Sequence, residues 1–271
     1  MTKYLETLFD SIDNARDLGG MTGADGRTIR ACRLLRTAHL HDASDRDLIR
    51  LHNEYHLVRV FDFRSIEESR FLPDKDVEGA THHLLPTIDL NAERLTEQPI
   101  PQENFLNLEL HIVAHSFDPD AQAMAADMYP SLIRSEYSQL QYATFMRLIV
   151  EAPEDGGVLW HCFQGKDRTG WGAAFLLSAL GVQRDDIIAD FDLSNKAYQG
   201  LVNRLVKEVE QRGGGDREKE VIRAFMGVST RNFVRTLDLI DSEYGGMSDY
   251  LHGQLMLTDG DINLLRTRFL N

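Results

Sequence analysis

Of the two cysteines in this 271-residue chain, Cys162 stands where nucleophilic chemistry is expected. Arg168 follows six positions later, and the intervening Phe163, Gln164, Gly165, Lys166 and Asp167 are enough chain to wrap backbone amides around a tetrahedral anion. Val158 to His161 reads as a short buried strand opened by Gly156-Gly157, and the apolar run from Ala173 to Leu180 as a helix that begins near Arg168. A loop passing from strand to helix presents unpaired N–H groups and the positive end of the helix dipole, which favour an oxyanion. The Arg168 guanidinium adds two parallel donors, most useful when charge spreads over the oxygens of a phosphoryl group in transfer. Such surroundings favour a thiolate, whose attack on phosphorus gives a phosphocysteine that water then hydrolyses. Thr169 is suited to donate a hydrogen bond to the sulfur, and Phe163, Gln164, Gly165 and Lys166 are expected to line the phosphate site.

Expelling an alkoxide calls for a proton donor. Asp62 is the first choice, because it closes the strand-like Leu57-Val58-Arg59-Val60-Phe61 and sites collect at the carboxyl ends of strands. Asp167 inside the loop is second, and Asp118 and Asp120 are third. Arg64 is a further candidate contact to phosphate. Asp62 could equally cap the strand end, and Arg64 and Asp17 could pair structurally. His161 reads as a strut for the loop and Cys32 as a core residue. The other histidines, His82-His83 among them, lack acidic ligands at metal spacing, so no metal or other cofactor is expected.

The elements that must position these groups alternate. A helix capped by Ser44 precedes the strand ending at Asp62; further strands are expected at His82 to Leu85 and at Val158 to His161, with a helix over Tyr137 to Val150 between them. Strands alternating with helices imply an α/β fold with a short, mostly parallel central sheet flanked by helices. Turn signals from Asn14 to Gly26 suggest a hairpin into an extended Arg27 to Leu35. The stretch 89–134, broken by Pro99 and Pro101, reads as an inserted helical lid; 185–271 reads as a helical extension, with Gly213 to Gly215 as an interhelical turn, Gly245 as a stop and Thr258 with Asp261 as a capping box. The whole chain, 1–271, is expected to form one domain.

Composition narrows the partners. A formal net charge of -14 argues against nucleic acid, whose phosphates most of the surface would repel, and obliges the loop to supply a local positive focus. No apolar run is long enough to span a membrane, and Met1 to Asp10 lacks the order of a signal peptide, so a cytoplasmic protein without an integral membrane segment is expected. Two cysteines make a disulfide framework implausible.

His161 to Gly170 resembles the signature loop of protein tyrosine phosphatases, and its Gly-Lys-Asp-Arg-Thr-Gly ending resembles the bacterial tyrosine/serine phosphatases. Asn14 to Gly20, Asp62-Phe63-Arg64-Ser65 with Glu68, Tyr244-Gly245-Gly246 and Leu264-Leu265-Arg266 are similar to further segments of that family. The resemblance implies a phosphatase fold, metal-free activity and a broad substrate range: phosphotyrosine, phosphoserine or phosphothreonine, and phosphoinositides, with inorganic phosphate as product. Lys166 is similar to the loop lysine of lipid phosphatases, and relatives in the family can leave the cell without a signal peptide. The chain departs from the pattern at Phe63, where leucine is commoner, and it lacks the Trp-Pro-Asp acid loop of animal tyrosine phosphatases. The rival to an active phosphomonoesterase is a non-catalytic phosphate-recognition module that keeps the loop.

Overall fold

Alternation along the strands sets the layers. Leu34, Phe61, Val158 and Trp160 turn to one face of a sheet and join the larger core, while Leu35, Val60, Leu57 and Leu159 turn to the other. The structure, a computed structural model, describes residues 8–88 and 119–271, with the backbone alone over 119–126. Five strands, β1 (Arg16–Asp17), β2 (Leu34–Thr37), β3 (Leu57–Asp62), β4 (Thr81–Leu84) and β5 (Gly157–His161), lie in the order β1-β2-β5-β3-β4. β1 runs antiparallel to β2, and the other pairs are parallel. This is the mixed α/β arrangement expected from the sequence.

The register aligns the strand ends. Thr37 and Asp62 both pair with His161, and Leu84 pairs with Asp62. The loops that carry Cys162 and Arg64 therefore leave the sheet from one edge, side by side.

Helix α1 (Asp45–Asn53) is capped by Ser44, whose hydroxyl accepts from Asp47 N, and packs Leu51 into the smaller core. Helix α2 (Ile66–Phe71) opens with a capping box between Ser65 and Glu68. Helices α3 (Pro119–Arg134), α4 (Glu136–Val150) and α5 (Asp167–Ala179) cover the larger face, followed by α6 (Arg184–Gln211), α7 (Asp216–Met226), α8 (Thr230–Tyr244), α9 (Met247–Gly253) and α10 (Asp259–Phe269). The turn at Gly213 to Gly215, the left-handed stop at Gly245 and the box at Thr258 fall where the sequence placed them. No helix among the described residues is long and apolar enough to cross a membrane.

Some expectations shift. The first strand after the Ala24–Gly26 turn begins only at Leu34, because Cys32 sits at φ 61 with its N–H held by Asp17 Oδ2 at 2.6 Å, which breaks an extended run from Arg27. On α4, Tyr142, Phe145, Met146 and Ile149 form the buried face, while Leu140 is 53% exposed. Most of the predicted lid, 89–118, lies outside the described residues. Its last turns do not stand apart, for Tyr129, Leu132 and Ile133 on α3 belong to the larger core.

Candidate active site

The loop from Cys162 to Lys166 joins β5 to α5. Gly165 makes its turn possible: φ is +66°, and a Cβ there would lie 2.1 Å from the Thr37 carbonyl oxygen. The loop carbonyls are held from outside. Asn14 Nδ2 donates to Gln164 O (3.1 Å) and Gly165 O (3.0 Å), Tyr198 donates to Gln164 O (2.8 Å), and Arg36 Nη2 donates to Gly165 O (3.0 Å) and Lys166 O (3.1 Å). In a trans peptide C=O and N–H point in opposite directions, so the N–H groups of Gly165, Lys166 and Asp167 turn away from those donors, toward the inside of the loop. A backbone cradle turned this way is suited to receive an anion.

Behind the cradle lies a buried triad. Asp190 on α6 pairs with Arg16 Nε at 2.7 Å and with Arg36 Nη1 at 2.5 Å, and Arg16 also donates to Asn14 Oδ1 at 2.7 Å. Asn14 thus turns its Nδ2 to the loop. Burial alone would raise the Asp190 pKa; the two guanidiniums overcome it and hold the carboxyl below its usual range.

Arg168, in the first turn of α5, donates from Nη1 and Nη2 to Glu68 Oε2 and Oε1 at 2.6 and 2.9 Å. Burial opposes both charges, yet each stabilises the other: Glu68 is depressed and Arg168 raised. Tyr142 donates to Arg168 O (2.9 Å) and Trp160 Nε1 to Thr169 O (3.1 Å), which fixes the start of the helix. Thr169 is buried, and among the described residues its Oγ1 has no protein partner, so its proton remains uncommitted. Cys162 is itself 3% exposed. Phe163, Gln164, Asp167 and Arg168 are only half-buried and form the mouth.

Asp62 and Arg64 bind one another, in line with the structural alternative for each. Arg64 Nε and Nη2 donate to the Asp62 carboxylate at 2.8 to 3.0 Å, Arg64 N donates to Asp62 Oδ1 at 2.9 Å, and Arg64 Nη2 also meets Asp74 Oδ2 at 2.9 Å. The guanidinium is fully buried, and four of its five N–H groups go to these partners and to Leu72 O. Both oxygens of Asp62 are engaged as well. His161 completes the cluster, with Nε2 3.0 Å from Asp74 Oδ2 and Nδ1 3.7 Å from Asp62 Oδ1. Burial opposes its charge, but the two carboxylates prevail and bring its pKa up to about 9. Asp62, Asp74 and His161 converge closely enough for a metal, yet Arg64 and the imidazolium already balance the two carboxylates. These residues serve as a strut under the loop, the role expected of His161 alone.

Asp167 Oδ1 accepts from the Tyr129 hydroxyl at 2.5 Å, and Oδ2 lies 3.9 Å from Lys166 Nζ. Lys166 is 6% exposed and donates to Phe225 O and, at 3.0 Å, to Gly227 O, at the carboxyl end of α7. Carbonyls at a helix end attract a cation. Burial lowers its pKa, and two of the ammonium's three N–H groups go to α7 and its cap.

A family model described as the tyrosine phosphatase family matches residues 7–271. The chain belongs to the tyrosine phosphatase family. It is 31% identical to an inferred tyrosine-protein phosphatase of Cupriavidus necator, over 97% of this chain and 87% of that one. It is 28% identical to the triple specificity protein phosphatase PtpB of Mycobacterium tuberculosis, over 88% of this chain and 90% of that one. A tyrosine-protein phosphatase of Nostoc commune matches at 29% over 49% of this chain and 45% of its own.

Several residues that shape this phosphatase site carried no chemical signal in the sequence. Arg36 left one trace, a charged side chain directly after the apolar Leu34-Leu35 in the fully buried β2. Asn14 and Arg16 lay within a family-like segment without an assigned role. Asp74, Tyr129, Asp190 and Tyr198 meet the loop or its struts only through tertiary contacts.

Proposed function

We propose that this phosphatase hydrolyses phosphomonoesters through a phosphocysteine on Cys162. The observation that carries the reading is the cradle: loop N–H groups turned inward by donors on the outer carbonyls, closed by Arg168 on Glu68. The cradle and Arg168 hold the three non-bridging oxygens. Cys162 Sγ attacks phosphorus, the bond to the leaving oxygen breaks, and that oxygen takes a proton from Asp167. Water then displaces the sulfur, gives its proton to Asp167 and leaves as inorganic phosphate. Asp167 is assigned this role because it lies at the half-buried mouth, whereas Asp62 is tied up with Arg64.

Phosphotyrosine is the leading substrate, in keeping with the family and with the names of its relatives. The name of PtpB supports extending the range to phosphoserine and phosphothreonine. Phosphoinositides draw less support, since the Lys166 ammonium faces α7. A phosphate-release panel covering phosphotyrosine, phosphoserine, phosphothreonine and phosphoinositide substrates, run with Cys162→Ser alongside, tests this. Phosphotyrosine should be cleaved fastest and Cys162→Ser should cleave none; equal release by both proteins would sink the reading.

A further inference from the structure

Tyr129 lies on α3, outside every motif the sequence offered, yet its hydroxyl reaches Asp167 Oδ1 at 2.5 Å. The ring is 4% exposed and is wedged edge-on between Trp171 and Phe191, with centroids 6.3 and 5.8 Å away. Burial first, and then the neighbouring carboxylate, raises the phenol well above its ordinary value, so it keeps its proton over the working pH range. Held in place and protonated, it can only donate along this contact. Oδ1 is thereby committed as an acceptor. The remaining oxygen, Oδ2, lies 3.9 Å from Lys166 Nζ, beyond hydrogen-bond reach, and that ammonium donates instead to Phe225 O and Gly227 O.

We propose that Tyr129 is the positioning residue for proton transfer: it sets the Asp167 carboxyl rotation and makes Oδ2 the oxygen that protonates the leaving group and later accepts the proton of water. This rests on Asp167 being the acid. It follows that Tyr129 matters most where the leaving oxygen is most basic. A seryl or threonyl alkoxide needs the proton more than a phenolate does, and p-nitrophenolate needs it least.

The test compares kcat/KM of wild type, Tyr129→Phe, Asp167→Asn and the double variant on p-nitrophenyl phosphate, phenyl phosphate and a phosphoserine peptide. Phenylalanine keeps the wedged ring, and thermal unfolding checks that the fold is retained. Asp167→Asn should lose activity more steeply as leaving-group basicity rises. Tyr129→Phe should follow the same trend less steeply, with a loss of roughly twofold on p-nitrophenyl phosphate and roughly tenfold on phenyl phosphate, the worth of one hydrogen bond. On phenyl phosphate the double variant should be no slower than Asp167→Asn, because Tyr129 acts through that carboxyl. A Tyr129→Phe loss equal on all substrates, beside a steep Asp167→Asn, would overturn the positioning role and leave the acid in place. An Asp167→Asn profile parallel to wild type would remove the acid and the positioning role together. Fully additive losses in the double variant would show Tyr129 acting elsewhere and overturn the proposal.

Discussion

Glu68 receives both terminal nitrogens of Arg168, at 2.6 and 2.9 Å, and the same carboxylate accepts from Ser65 N at 2.7 Å to close the cap of α2. One side chain therefore ties Arg168, the arginine proposed to hold the phosphoryl group, to the helix following the Asp62–Arg64 strut. An arginine held at two points presents its remaining donors in a fixed plane. Glu68→Gln keeps an acceptor for the cap but removes the charge and one acceptor from Arg168. The expected outcome is a fall in kcat/KM on p-nitrophenyl phosphate of about a hundredfold, the scale of losing an oriented transition-state donor. Steady-state kinetics measures it.

Asp190 neutralises two buried guanidiniums, Arg16 and Arg36. Asp190→Asn leaves both unbalanced in the core, a change that costs about 3–5 kcal/mol. Urea unfolding should show that loss, and KM should rise, because Arg36 then no longer holds the carbonyls of Gly165 and Lys166 as firmly. An unchanged midpoint would mean the pairs contribute nothing net.

His161 is fully buried, and its pKa stands at about 9 against an ordinary 6.5. Between those values the folded protein keeps a proton that the unfolded chain releases. The stabilisation is therefore whole below about pH 6.5 and is lost as pH rises through about 9, a change on the order of a few kcal/mol. Thermal midpoints measured from pH 6 upward should decline more steeply in wild type than in His161→Gln. Parallel declines would contradict the charged imidazole.

Lys166 bridges the loop to the carboxyl end of α7 through Phe225 O and Gly227 O. Lys166→Met should remove that tether while filling much of the same space. Hydrogen exchange should quicken over Asp216–Met226 and stay unchanged in β3 and β5. Uniform exchange across α7 in both proteins would show that the helix is anchored by other contacts.

The cradle was legible because its chemistry is local: strand, Cys162, Gly165, Arg168 and helix are contiguous, so spacing alone describes them. The strands at Leu57–Asp62 and Gly157–His161 were legible for a similar reason, being short, β-branched or aromatic, and buried on both faces. The outer shell was not. Asn14, Arg36, Asp190 and Tyr198 come together from separate stretches of chain, and a polar residue's partner across such distances leaves no periodicity to read. For Arg64 the sequence offers both a phosphate contact and a structural pairing, and the burial of its guanidinium against Asp62 and Asp74 favours the pairing. Cys32 could not reveal that a left-handed backbone at its position would cut short the first long strand.

The central claim is that phosphorus passes through Cys162. Rapid mixing with p-nitrophenyl phosphate, acid quench and mass analysis of the Cys162 peptide tests it most directly. One phosphoryl group on Cys162 within the first turnover, absent from Cys162→Ser together with all turnover, is the predicted result. Full turnover by Cys162→Ser, or the phosphoryl group on another residue, would contradict it.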